Sequence, residues 1–179
     1  MLKIIIPGVE HYDEVNNEFI TYKEQTLQLE HSLVSLSKWE SKWHKPFLSN
    51  DNKTVEEIVD YVRCMTVTQN VKPETYNLLT EQNLKEINDY IENPMTATTF
   101  SNEPKSASRE VITSEIIYYW MVTFNIPFEC QKWHLNRLLT LVKVCNIKNT
   151  PAKKMGRQEL LNRNRALNEA RRKQMNTKG

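Results

Sequence analysis

Two apolar runs divided by a proline, between Thr113 and Asn149, dominate the hydrophobic pattern of this chain. In TSEIIYYWMVTFN, residues Ile116, Ile117, Trp120, Met121 and Phe124 recur at i, i+1, i+4, i+5 and i+8, the stripe of a core-facing helix with Thr113 at its N-cap. Pro127 has no N–H and biases Ile126 away from helical geometry, so the pattern predicts a stop and a restart with Pro127 in the next helix's first turn. The second run carries Trp133, Leu135, Leu138, Leu139, Leu141, Val142, Val144 and Cys145. A helix so apolar must be covered by other elements.

Upstream, LKIIIPG reads as a short strand ended by Pro7 and Gly8, and YDEVNNEFITY alternates about Asn16 and Asn17, the pattern of a hairpin. TLQLEHSL places Leu27, Leu29 and His31 on one strand face before the period switches to Leu33, Leu36, Trp39, Glu40 and Trp43, a helix leading out to Pro46. After a polar loop at Asn50 to Lys53, Thr54 and Glu57 have the spacing of a capping box. Val55, Ile58, Val59, Val62 and Met65 trace the stripe that follows, with Glu56, Glu57 and Asp60 as its solvated face. Pro73 opens a short helix, and Thr80 caps another bearing Leu84, Ile87 and Ile91 that stops at Asn93-Pro94. Met95 to Arg109 has the composition of an exposed, mobile loop. Beyond Thr150-Pro151 and Gly156, RQELLNRNRALNEARRKQMN carries a narrow stripe of Leu160, Leu161, Asn164, Leu167 and Ala170, and such a polar helix needs a packing partner to be stable.

These elements predict a mainly α fold with a small N-terminal antiparallel β element (α+β): a sheet over 1–31 and helices over 32–149 in one globular domain, and a basic helical C-terminal arm over 150–179. The 179 residues, 39% of them hydrophobic, suffice for one modest core, and only three glycines argue against a barrel, a sandwich or a glycine-rich phosphate loop. Cys64, Cys130 and Cys145 are odd in number and widely spaced, the usage of reduced thiols. With neither a signal-peptide pattern nor an apolar run of about 18 residues, the expectation is a soluble intracellular protein.

Net charge of +2 hides a split. Residues 151–179 hold nine basic side chains (Lys153, Lys154, Arg157, Arg163, Arg165, Arg171, Arg172, Lys173 and Lys178) against Glu159 and Glu169, leaving 15 basic and 20 acidic residues elsewhere. An arm of +7 on a body of −5 marks a segment that meets an acidic surface, nucleic acid or an acidic face of its own fold, and the charge alone does not choose among them.

Catalytic chemistry is poorly supported. Cys130 and His134 lie at helical i, i+4, but neither His31, His44 nor Cys145 forms a second pair with ligand spacing, so no metal site is predicted. Cys130 has apolar neighbours and no evident oxyanion donor, and phosphate-loop, G-x-S-x-G and paired-carboxylate patterns are lacking. No cofactor is implied. Trp39 and Trp43, at i, i+4, put both indoles on one helix face, where they either close the core or anchor a partner; Lys38, Lys42 and Lys45 interleave with them.

The stretches LQLEHSLVSLSKWESKWHKPFL, ITSEIIYYWM, FECQKWHLNRLLTLVKVCNIKN and RNRALNEARRKQMNTKG, spread from about Leu27 to Gly179, resemble the tail assembly chaperones of long-tailed bacteriophages. The resemblance implies a non-catalytic protein that binds the tape measure protein and keeps it soluble until tail tube subunits polymerise around it. It further implies a homo-oligomer in the host cytoplasm, absent from the mature virion, and recruitment of tail tube protein by a frameshift-extended form. The candidate partner-binding residues are then Trp39, Trp43, Trp120 and Trp133 as apolar anchors, with Lys153, Lys154, Arg157, Arg163, Arg165, Arg171, Arg172 and Lys173 on the arm. The alternatives are a phage nucleic-acid-binding protein using the basic helix, an assignment that an arm without aromatic residues for stacking disfavours, and a neck or baseplate adaptor. Neither needs a membrane.

Overall fold

Alternation at the N-terminus builds one long β-ribbon with a break in its middle. The computed structural model describes residues 1–13, 17–49, 51–100, 111–150 and 156–176. Strand β1 (Leu2–Ile6) pairs antiparallel with β4 (Gln25–Leu29), and β2 (Val9–Asp13) pairs with β3 (Glu18–Tyr22). The first ladder ends at Ile6↔Gln25 and the second begins at Val9↔Tyr22, so two residues on each strand are skipped and the register passes through unchanged. Pro7, in the gap, has no N–H for a ladder bond. At Gly8 a Cβ would lie 2.9 Å from the Tyr22 carbonyl oxygen and 3.0 Å from the Glu24 nitrogen, a backbone approach that leaves no room for a side chain. The predicted hairpin forms, with Asn17 at φ 54°; Asn16 is outside the described residues.

The pleat puts Ile4, Ile6, Leu27 and Leu29 on the core side, each no more than 1% exposed, and Ile5 on the other. Helix α1 (Leu33–Trp43) starts at a Ser32–Ser35 capping box and ends where His44 turns left-handed at φ 52°, its N–H donating to the Glu40 carbonyl. The Thr54–Glu57 capping box opens α2 (Val55–Met65) as the spacing predicts. The buried face of α2 keeps part of the predicted stripe: Val62 and Met65 are buried and Val59 is half-buried, but Val55 and Ile58 are exposed and Glu57, Asp60 and Tyr61 are buried in their place. The two carboxylates find cations and an indole on and after α1, and that pairing turns the helix away from the rotation that its aliphatic residues alone would choose.

A 3₁₀ turn at Pro73–Leu78 precedes α3 (Glu81–Glu92), which is capped by Thr80 with Asn83 in the reciprocal position and ends at Asn93 before Pro94. Of the predicted loop at Met95 to Arg109, residues 95–100 are neither helix nor strand, and the rest lies outside the described residues. Helix α4 (Ser114–Thr123) begins after Thr113, whose side chain makes no capping hydrogen bond; the Ser114 N–H donates instead to Glu40 Oε2 at 2.7 Å.

Pro127 does not sit in the next α-helix. Asn125 breaks the chain at φ 53°, a 3₁₀ turn follows at Phe128–Lys132, and α5 (Leu135–Asn149) begins only at Leu135. The delay has a cause in the backbone: the Leu135 N–H donates to the His31 carbonyl at 2.8 Å and His134 bridges Ser32, so residues 133–135 are held extended beside the β4–α1 junction. Helix α6 (Arg157–Met175) follows Gly156.

Two apolar clusters result. One gathers Ile4, Ile6, Leu27, Leu29, Trp39, Tyr61 and Met65; the other gathers Leu33, Leu36, Ile117, Met121, Leu135 and Leu138. Helix α1 feeds both. The fold is α+β and mainly helical, and the chain divides into compact units at Met1–Asn146 and Ile147–Gly179. No helix among the described residues is long and apolar enough to cross a membrane.

Candidate partner-binding surfaces

The predicted tryptophan face is a built wall of the core. Trp39 is 1% exposed, and its Nε1 donates to the Glu57 carbonyl at 2.8 Å, so this indole offers nothing to a partner. Of the two readings of the pair, closing the core describes Trp39. Half-buried Trp43 stacks on it with ring centroids 6.1 Å apart and donates from Nε1 to Asp60 Oδ2 at 2.9 Å. Phe47 completes the wall, edge-on to Trp39 and stacked on Tyr61 with centroids 3.7 Å apart.

Lys42 and Lys45 are engaged too. Lys42 Nζ meets Asp60 Oδ1 at 2.5 Å and Lys45 Nζ meets Glu57 Oε1 at 2.6 Å. The Lys45 hydrogen bond, joined by the Thr54 N–H, holds the Glu57 carboxyl below its ordinary range. Burial pushes Asp60 upward, but the bonds from Lys42 and Trp43 outweigh it and its pKa also falls. Both acids are therefore ionised structural members, and the expected solvated face exists only at Glu56.

Glu40 is another working acid that sequence reasoning placed simply on a stripe. It is 8% exposed, and its two oxygens accept from the Phe47 N–H at 3.0 Å and from the Ser114 N–H at 2.7 Å. It thus supplies the negative charge that the N-terminus of α4 favours.

Beside this wall lies an open groove. Helix α2 packs on α1 and α3 packs on β1, and between α2 and α3 is a space of about 610 Å³. Phe47, Ile58, Tyr61, Val62, Leu84, Ile87 and Ile91 line it, and Lys53, Lys85, Asn88 and Asp89 add polar groups. Ile58 and Leu84, 45% and 37% exposed, are its accessible apolar walls. Both were legible as stripe residues; their place at the exposed edge depends on the rotation of α2.

Trp120 and Trp133 are half-buried and pack against the second cluster, and the Arg137 guanidinium lies 4.1 Å from the Trp133 ring centroid. More accessible on α4 and the following turn are Tyr119, Val122 and Phe128. On α6, Arg157, Arg163, Arg165, Arg171, Arg172 and Lys173 are all exposed, as are Leu160, Leu161 and Leu167; Lys153 and Lys154 lie outside the described residues.

The fold brings together two histidines that the sequence left apart. The His31 and His134 rings lie 5.1 Å apart, His31 Nδ1 is 2.6 Å from the Tyr61 hydroxyl, and His134 Nε2 donates to the Tyr90 carbonyl at 2.9 Å. His134 Nδ1 is buried without a hydrogen-bond partner among the described residues. Burial first, then the neighbouring His134, lowers the His31 pKa to about 3. Among the described residues no group of three or more His, Cys, Asp or Glu side chains has the arrangement to hold a metal ion, and Cys130 is a free, buried thiol of the second cluster.

No family model, curated protein or solved structure matches the chain.

Proposed function

We propose that this protein is a tail assembly chaperone of a long-tailed bacteriophage, binding helical segments of the tape measure protein and keeping them soluble while the tail tube grows. The observation that carries the reading is the apolar groove between α2 and α3, joined to the resemblance of the sequence. A groove lined by aliphatic residues and an aromatic wall suits a helix with apolar residues at i, i+3, i+4 and i+7. Lys53 and Lys85 at its edge favour a helix with acidic flanks. Each apolar side chain seated there contributes ~1.5–3 kcal/mol, so a few seated residues outweigh the cost of association and give affinities on the order of micromolar. Such binding is reversible, as a chaperone that leaves the finished particle requires. The role is non-catalytic and belongs to the host cytoplasm during infection, with tail tube protein recruited by an extended form.

The test is co-expression with the tape measure protein of the same genome, followed by pull-down and light scattering on a sizing column. The wild type yields a soluble complex, and Ile58→Asp with Leu84→Asp, at two partly exposed wall positions, leaves the chain folded but the client insoluble. A client equally insoluble with and without the wild-type chain refutes the proposal. Retarded migration of random DNA by the arm, or the chain's presence in purified virions, directs the assignment to the nucleic-acid or adaptor reading instead.

A further inference from the structure

The groove between α2 and α3 has a direction written into its rim. Leu84, Ile87, Asn88 and Ile91 line it from α3 at i, i+3, i+4 and i+7, so it follows that helix for two turns, about 10 Å at ~1.5 Å per residue. Lys85 and Asp89, one position further round, also line it and are exposed. They stand one turn apart with opposite charge, the cation nearer the start of α3.

The charged side chains around the aromatic wall are already engaged. Lys42 pairs with Asp60 and Lys45 with Glu57, while Lys53 Nζ donates to the Ser49 carbonyl at 3.1 Å and lies 5.0 Å from the Phe47 ring centroid. Lys85 and Asp89, by contrast, belong to no ion pair among the described residues. A lysine four positions before an acid is also the weaker order for a pair within one helix, so little holds the two to each other.

Given the proposed role of this groove in holding client helices, we infer that Lys85 and Asp89 decide which way round such a helix lies. All α-helices share one rise, so a client lying along α3 presents its residues i and i+4 at the same ~6 Å spacing as the rim pair. A glutamate at i and a lysine at i+4 beside the apolar stripe meet Lys85 and Asp89 in turn when the client runs parallel to α3. Turned round, the same pair sets like charges against each other. A client with lysine first and glutamate second lies antiparallel for the same reason. Lys53, a single charge from the other side of the groove, favours an acid there but sets no order. Two exposed pairs gained and two like-charge contacts avoided amount to a preference of about tenfold.

Photocrosslinking to the full-length protein reads the direction. Two synthetic helical peptides share leucines at i, i+3, i+4 and i+7 and carry a benzophenone at the N-terminus. Beside the stripe, one has glutamate and then, four positions on, lysine; the other has the reverse. Mass spectrometry of the digested adducts finds the first peptide attached at the start of α3, around residues 81–84, and the second at its end, around residues 91–93. Each favours its own end about tenfold. In Lys85→Asp with Asp89→Lys the two patterns exchange; both positions are exposed, and the swapped order is the better one within α3, so the variant folds. In about 1 M salt the preference fades while the adducts persist, because apolar seating is not screened. Both peptides at the same end, either peptide spread evenly over both ends, or a swapped variant with the wild-type pattern overturns the assignment of Lys85 and Asp89 and leaves the groove as a helix site. Adducts that avoid α3, or that survive Ile58→Asp with Leu84→Asp, refute the groove itself and the direction rule with it.

Discussion

Acidification from pH 7.5 to pH 5 destabilises this protein through His31. The ring is 2% exposed, its Nδ1 is hydrogen bonded to the Tyr61 hydroxyl, and among the described residues no carboxylate is a ring or hydrogen-bond neighbour that would stabilise a proton on it. Its pKa is about 3 when folded and about 6.5 in the unfolded chain. A depressed histidine pKa means that the unfolded state binds the proton first, so the stabilising difference is complete above pH 6.5 and is lost as pH falls toward 3. At pH 5 the unfolded chain gains about 2 kcal/mol from protonating this one ring, and the full shift corresponds to about 5 kcal/mol near pH 3. The carboxylates with lowered pKa values, Glu57, Asp60 and Glu115, lose their contribution only below about pH 4.5, outside that window. Urea unfolding followed by tryptophan fluorescence at the two pH values measures the difference. In His31→Gln, which keeps an acceptor for Tyr61, the loss shrinks to the smaller part due to His134, whose pKa burial also lowers. Equal wild-type stability at pH 7.5 and 5, or the same loss in wild type and variant, refutes the reasoning.

Three further outcomes are expected. Glu40→Ala leaves the Phe47 and Ser114 N–H groups without their shared acceptor and lowers unfolding free energy by ~2–3 kcal/mol, whereas Glu40→Gln, which keeps one acceptor oxygen, loses less; chemical denaturation compares them. Val55→Ala, at an exposed position, changes stability by less than about 0.5 kcal/mol while Val62→Ala, at a buried one, costs on the order of 2 kcal/mol, although both lie on the apolar stripe of the sequence. Equal costs contradict the observed rotation of α2, and denaturant midpoints decide. Asp60→Ala, which removes the acceptor of the half-buried Trp43 indole N–H and of Lys42, shifts tryptophan emission to longer wavelength and lowers the thermal midpoint, and unchanged emission contradicts the indole–carboxylate bond.

Much of this architecture was legible in the chain because it rests on local rules. Thr54 with Glu57, Thr80 before α3, the alternation around Leu27 and Leu29 and the left-handed asparagine of the hairpin are short-range signals, and each element forms where its signal lies. What was not legible depends on residues far apart in sequence. Glu57 and Asp60 look solvent-facing until Lys45, Lys42 and Trp43 are placed beside them. Thr113 has the identity of a cap, yet the acceptor comes from Glu40, 74 positions from the Ser114 it serves. Proline chemistry is local and places the first turn of the last core helix at Pro127, while the pairing of residues 133–135 with the β4–α1 junction, which delays that helix, is not local. Of the candidate site, the charge of the arm could be read directly; the groove could not, since it exists only through the rotation of α2.

That helix α1 belongs to both apolar clusters bears on the order of events during synthesis. Leu33 and Leu36 leave the ribosome about 100 residues before Leu138, one of the side chains that cover them, and at ~5–20 residues per second that is an interval of roughly 5–20 s. Throughout it the N-terminal half carries the leucine face of α1 bare. The nascent chain therefore passes through its own sticky stage, and holdases have several seconds in which to meet it before the second cluster closes.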